Sequence, residues 1–209
     1  MRKSLPKENT LLLKNKKHCN LIAIRPKTDR LKPAQAIDKI PLLPAEKRPQ
    51  TGSIMIGLRS LGDFPPFTNV SNLVEPAGNA DLFLSEMTET FASAYLKKVN
   101  QRNNIALIHT VTGTTALRSL LPYMSPATKQ KLLHFGWQMA AALYSVFGSS
   151  SNNSLPAAKE IKRDELIDRA VATHDEHAIK FTEACLREYG LNPKPIYLQA
   201  AANAIERLQ

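Results

Sequence analysis

Three residues stand out as able to do chemistry. His109 ends an apolar run, Ile105-Ala106-Leu107-Ile108, and Thr112 follows one helical turn later on the same face. His174, His177 and Lys180 step by three, and Phe181 and Ala184 carry that stripe into apolar positions, so it is expected to point partly inward. A lysine buried there would lose its charge readily, because desolvation disfavours the ammonium form. The neutral amine can take up carbon dioxide and become a carbamate, an anionic oxygen ligand. His177 and a carbamylated Lys180, with an imidazole from a facing helix, would offer nitrogen and oxygen donors to one metal. That set suits iron better than a thiolate-seeking metal. Each residue also has a structural reading. A histidine in an apolar helix is commonly a hydrogen-bonded core residue. His174 stands beside Asp175 and Glu176 at a helix start and is expected to be exposed. A lysine stem can pack while its head reaches water.

Other signals are absent. There is no GxGxxG, no GxxxxGK[ST], no GxSxG and no CxxCH. A nicotinamide or flavin, if used, is therefore not bound through a dinucleotide fold. Cys19 and Cys185 are far apart and form no metal or disulfide framework, and Cys185 reads as a small buried hydrophobe.

The elements that would hold these residues are helices. Asn79 caps the first, and Leu84, Met87, Phe91, Ala94 and Tyr95 share one face of it to about Asn100. A second runs from about Asn104 to Leu121, where Pro122 stops it. Ser125-Pro126 opens a third that continues to Phe147 and closes at Gly148. Its stretch from Phe135 to Tyr144 has almost no charge, so it is expected to be buried nearly all round. Trp137 within it is a candidate pocket residue, with packing as the simpler role. Asp164–Ala172 is a fourth helical segment, and His174–Tyr189 continues or restarts it. Pro195 opens a last helix burying Tyr197, Ala201, Ala204, Ile205 and Leu208. No alternating strand pattern competes. The expected fold is all-α: a helical bundle over residues 79–209, preceded by a loop-rich connector at 51–78 and an irregular basic arm at 1–50.

The net charge of +10 is concentrated in that arm. Residues 1–50 hold 13 Lys and Arg against 4 Asp and Glu, while the remainder holds 15 against 14. Six of the 14 prolines also lie there, so the arm is expected to pack little against the body; Leu21–Ile24 is its one short strand-like stretch and has no evident partner. It lacks interleaved aromatics for base stacking, so nucleic-acid binding is not expected. Leu11-Leu12-Leu13 is too short for a signal core, and Phe135–Phe147 falls short of the ~20 residues that span a bilayer. The expectation is a cytoplasmic protein without a membrane span.

Three segments together resemble the questin oxidase-like family. Ile105–Met124 carries His109-x-Val111-Thr112, Ala116-Leu117-Arg118 and Leu120-Leu121-Pro122. Trp137-Gln138 with Ala142-Leu143-Tyr144 is similar to the helix that follows in that family, and Glu176-His177-Ala178-Ile179-Lys180 to its C-terminal segment. Their order and spacing match over about residues 75–209. The resemblance implies helical oxygenases acting with oxygen on aromatic polyketide-like substrates, by Baeyer–Villiger-type oxidation with NADPH or by ring cleavage at non-haem iron. It implies His109, His177 and carbamylated Lys180 as iron ligands; Thr112, on the His109 face, and Trp137 are the candidate substrate-pocket residues. His134 and His174 fall outside the matching positions. The family's N-terminal histidine motifs have no counterpart in residues 1–78, where His18 is the only histidine. The chain is accordingly expected to be a truncated or split form completed by a separate N-terminal half or a homodimer. The alternative is a non-catalytic helical interaction domain.

Overall fold

The computed structural model describes residues 30–49, 53–150, 153–155 and 162–209. His18, Cys19 and the Leu21–Ile24 stretch lie outside these residues. Among the described residues the fold is all-α, and β-structure amounts to one bridge between Leu31 and Val74. The helices are α1 (Pro33–Ala36), α2 (Ile54–Arg59), α3 (Ala80–Lys98), α4 (Asn104–Arg118), α5 (Pro126–Phe147), α6 (Arg163–Ala172), α7 (Glu176–Leu191) and α8 (Pro195–Arg207).

Local chemistry sets their starts. The Asn79 side chain accepts from the Leu82 N–H, and the Ser125 hydroxyl accepts from the Thr128 N–H, each satisfying a donor that the first turn leaves free. Pro126 and Pro195 occupy first-turn positions where a missing N–H costs nothing. The break between α6 and α7 is a restart. His174 takes a left-handed conformation, φ 55°, which α-helix cannot continue through. Asp175 then caps α7, its carboxylate accepting from the N–H groups of His177 (2.7 Å) and Ala178 (3.2 Å).

The core lies between α3, α4, α5, α7 and α8. Leu84, Met87, Phe91 and Tyr95 of α3 are fully buried, as are Phe181 of α7 and Tyr197 of α8. On α8, Leu208 beyond the helix end is only half-buried. Trp137 of α5 is wholly enclosed. Its indole N–H donates to the Val70 carbonyl (2.9 Å) and its ring tilts against Phe91. It is placed in the core, with its polar atom already engaged.

Two expectations change. Residues 51–78, read as loop, contain α2 and 3₁₀ turns at Ser60–Asp63 and Pro65–Leu73. Glycine and proline punctuate this stretch, but Phe64, Phe67 and Val70 are buried and hold the turns on the bundle. The arm also packs where it is described. Ala36, Ile40 and Leu43 are buried, and the Leu43 N–H donates to the Ser145 carbonyl (2.8 Å) while the Ser145 hydroxyl donates to the Pro41 carbonyl (2.5 Å). Residues 40–44 form no regular ladder, and Pro41 and Pro44 have no N–H, so Ser145 of α5 takes the Leu43 N–H and donates to the Pro41 carbonyl instead.

Candidate functional site

α4 and α7 lie side by side and run the same way. His109 meets His177 near one end of the pair, and Arg118 meets Glu188 near the other. The two imidazole rings are 5.7 Å apart, centre to centre, and cross edge to face at 83°. Sixty-eight positions of sequence separate them, so packing of α4 on α7 is what brings them together.

The two histidines differ in setting. His109 is half-buried, and burial first, then the charges of His177 and Lys180, push its pKa below the ordinary histidine range; Glu176 opposes this. Its neutral imidazole is the form that accepts a proton or binds a metal. His177 sits in the first turn of α7, and its Nδ1 lies 3.5 Å from the Asp175 carboxylate that caps that turn. Thr112 is half-buried one turn beyond His109, and its hydroxyl donates back to the Ile108 carbonyl (3.3 Å).

Lys180 does not lie where an inward stripe would put it. Its side chain is 65% exposed and its ammonium donates to the Glu176 carboxylate at 2.5 Å, four residues earlier on α7. Lys180 holds the Glu176 carboxyl below the usual carboxylate range. The reason is rotational: α7 buries Ala178, Phe181, Thr182 and Cys185, and residue 180 then falls on the opposite side. His174 is exposed, as expected. A carbamate needs the free amine, whereas this ion pair is made by the ammonium form. Among the described residues no three His, Cys, Asp or Glu side chains come together to hold a metal ion. Two imidazoles and a lysine held in an ion pair do not make an iron site by themselves.

A second polar cluster is not read as a site in the sequence, although Arg118 stands in the Ala116-Leu117-Arg118 motif. Glu188 of α7 is fully buried and is gripped by Arg118 of α4 through two hydrogen bonds, Nε to Oε1 at 2.9 Å and Nη2 to Oε2 at 2.7 Å. The Thr88 hydroxyl donates to Oε2 (3.1 Å) and also meets the Tyr197 hydroxyl (2.9 Å). Arg118 reaches on to Asp81 (3.1 Å) and Ser85 (3.0 Å). It forms one wall of a cleft of about 510 Å³ that also includes Glu86, Glu89, Asn192 and Lys194. The cluster's other sequence signal is a glutamate, Glu188, where the α7 pattern calls for an apolar residue. A recess of about 670 Å³ lies elsewhere, between α3 and residues 32–38, so neither space opens at the histidine pair.

The sequence model of the questin oxidase-like family matches residues 74–185, more than half of the 209-residue chain. The chain belongs to that family. The matched stretch contains α3 to α6 and most of α7, with His109, His177 and Lys180 inside it. No curated protein and no solved structure matches the chain. Among the described residues no helix is long and apolar enough to cross a membrane.

Proposed function

We propose that the chain serves oxygen-dependent oxidation of an aromatic, polyketide-like substrate, in the manner its family name suggests, with His109 and His177 as its reactive pair. The observation that carries this reading is the convergence of the two rings from separate helices, inside the stretch that the family model matches. A half-buried neutral imidazole beside a second one is able to bind a transition metal or to accept a proton from a phenolic substrate. Non-haem iron would need donors beyond the two imidazoles. Lys180 is proposed as one of these only as its carbamate, which requires that it leave Glu176. NADPH is proposed as the reductant where the oxidation is of the Baeyer–Villiger type.

The test pairs iron titration with oxygen uptake on an anthraquinone-type substrate, with and without NADPH and bicarbonate. His109→Ala and His177→Ala should each weaken iron binding at least tenfold. Bicarbonate should strengthen it in the native chain and not in Lys180→Ala. Oxygen uptake that survives unchanged in both folded histidine variants would overturn the reading. A second reading, a non-catalytic helical interaction domain, is favoured by the Lys180–Glu176 ion pair, which removes one proposed donor. It predicts no oxygen uptake under any of these conditions.

A further inference from the structure

The recess of about 670 Å³ between α3 and residues 32–38 has walls that are bonded in place. On one side the Lys32 ammonium donates to the Glu86 carboxylate (2.9 Å). On another the Asn153 N–H donates to the Lys97 carbonyl (2.7 Å), and the Asn153 side-chain amide donates to the carbonyls of Leu96 (3.2 Å) and Val99 (2.9 Å). These carbonyls stand at the C-terminal end of α3, where no helical N–H follows to bond them. Tyr144 of α5 also lines the recess, although the residue is only 8% exposed. Its hydroxyl has no hydrogen-bond partner among the described residues, and it is reached from the recess rather than shut off inside the core. A polar group on a side chain this buried is ordinarily bonded. One that opens unbonded into a walled space marks a position that a ligand group completes.

The kind of ligand follows from which groups are already engaged. Glu86 is held by Lys32, and Glu89 accepts from the Asn192 amide (3.0 Å). The Thr90 hydroxyl donates to the Glu86 carbonyl (2.7 Å). Lys97 and Lys98 make no ion pair among the described residues, and the Ser93 hydroxyl has no partner there. Asp38 is the remaining carboxylate; its charge acts on both Lys98 and Tyr144 without pairing with either. Burial, and then Asp38, push the Tyr144 phenol above its ordinary range, so it stays protonated and able to donate. Two ammonium groups and two hydroxyls thus stand open against one carboxylate. Surplus donors call for a negatively charged, acceptor-rich group. Ala34, Ile37, Ala94 and Leu155 add apolar wall, and the volume is that of a small-molecule site. We propose that the recess binds an organic carboxylate, its charged end held by Lys98 and Tyr144 and its apolar body lying against Ile37 and Leu155.

The inference does not rest on the oxidase reading, because neither His109 nor His177 lines the recess. Titration calorimetry of the full chain with 2-naphthoate, in about 0.15 M salt, should show one saturable site with a dissociation constant below about 1 mM. Its uncharged counterpart, 2-naphthamide, should bind about tenfold more weakly, and Lys98→Gln should weaken 2-naphthoate to a similar degree. Tyr144→Phe is the decisive variant. It alters no charge, whereas the basic residues of 1–50 attract any anion. It should weaken 2-naphthoate about tenfold and leave the melting temperature of the free chain unchanged, because the hydroxyl bonds nothing there. Absence of saturable binding overturns the proposal, and so does equal binding of the amide. Affinity that Tyr144→Phe leaves intact also overturns it, since another basic surface then holds the anion. A clear loss of melting temperature in that variant overturns it as well, by giving the hydroxyl a structural partner. None of these results touches the oxidase reading. His109→Ala and His177→Ala should keep full affinity for 2-naphthoate; a loss in either would move the site to the histidine pair and overturn this inference alone. Conversely, intact 2-naphthoate binding with oxygen uptake that survives both histidine changes removes only the oxidase reading.

Discussion

At the scale of single residues, Glu188 does more for the fold than any residue singled out for chemistry. A carboxylate with no solvent exposure is tolerable only because Arg118 and Thr88 supply its hydrogen bonds. Glu188→Ala should cost about 3–5 kcal/mol in urea unfolding, because it takes from the largely buried Arg118 guanidinium the buried carboxylate that neutralises it. Changing both partners, Glu188→Leu with Arg118→Met, should recover much of that loss. A cost below about 1 kcal/mol for the single change would show that water replaces the carboxylate freely. His134 makes a different prediction. It is buried on α5, with one Glu75 carboxylate oxygen 3.5 Å from Nε2 and the other paired with Arg30. Burial, and then the Arg30 charge, hold its pKa below the ordinary value; Arg30 already engages the carboxylate that would otherwise raise it. The unfolded chain therefore binds this proton at a higher pH than the folded one. The stability His134 contributes is complete above its unfolded pKa of about 6.5 and is lost as pH falls below it. Thermal melts from pH 7.5 to 5.5 should show that decline, and His134→Gln should flatten it. An unchanged slope in the variant would assign the decline to other groups.

At the scale of elements, α5 organises the bundle. Residues 30–49, α2, the 3₁₀ turn at Pro65–Leu73, α3 and α4 all pack on it or bond to it. The near-absence of charge from Phe135 to Tyr144 predicted burial nearly all round. Trp137, Leu143 and Tyr144 are buried, but Phe135 is 49% exposed, so one side of the helix faces out. Leu143→Ala should cost about 2–5 kcal/mol, because a helix contacted from so many directions cannot collapse into the space. Trp137→Phe keeps most of the ring but leaves the buried Val70 carbonyl without its donor, which should cost about 1–3 kcal/mol. Denaturant unfolding of the two variants checks both figures; a near-neutral Trp137→Phe would mean that Val70 finds another donor. The helix ends were legible for local reasons. Asn79, Ser125-Pro126, Gly148 and Pro195 act within one turn of themselves, so their effect needs no knowledge of the rest of the fold. Whether α6 runs on into α7 was not legible. His174 tolerates either backbone state, and Asp175 decides it by capping the new helix.

At the scale of the whole molecule, the main revision concerns residues 30–49. Proline content and charge read as an unpacked arm, yet Leu43 is fully enclosed and bonded to α5. Leu43→Ala in the full chain should therefore destabilise by about 2–5 kcal/mol. Over a chain of this size that lowers the melting temperature on the order of 10 °C. A shift below about 2 °C in scanning calorimetry would return the segment to the status of a loose arm. The sequence by itself determined the helical class, most helix boundaries, the buried faces of α3 and α5, and the three motifs that mark the family. All of these depend on period, capping and residue order, which are properties of neighbouring residues. Only the tertiary structure decided that His109 faces His177, that Lys180 turns outward to Glu176, and that Arg118 closes on Glu188. Those outcomes depend on how far each helix rolls about its axis and which helix it touches. A rotation of one residue, about 100°, moves a side chain from the core to solvent while leaving every local preference satisfied.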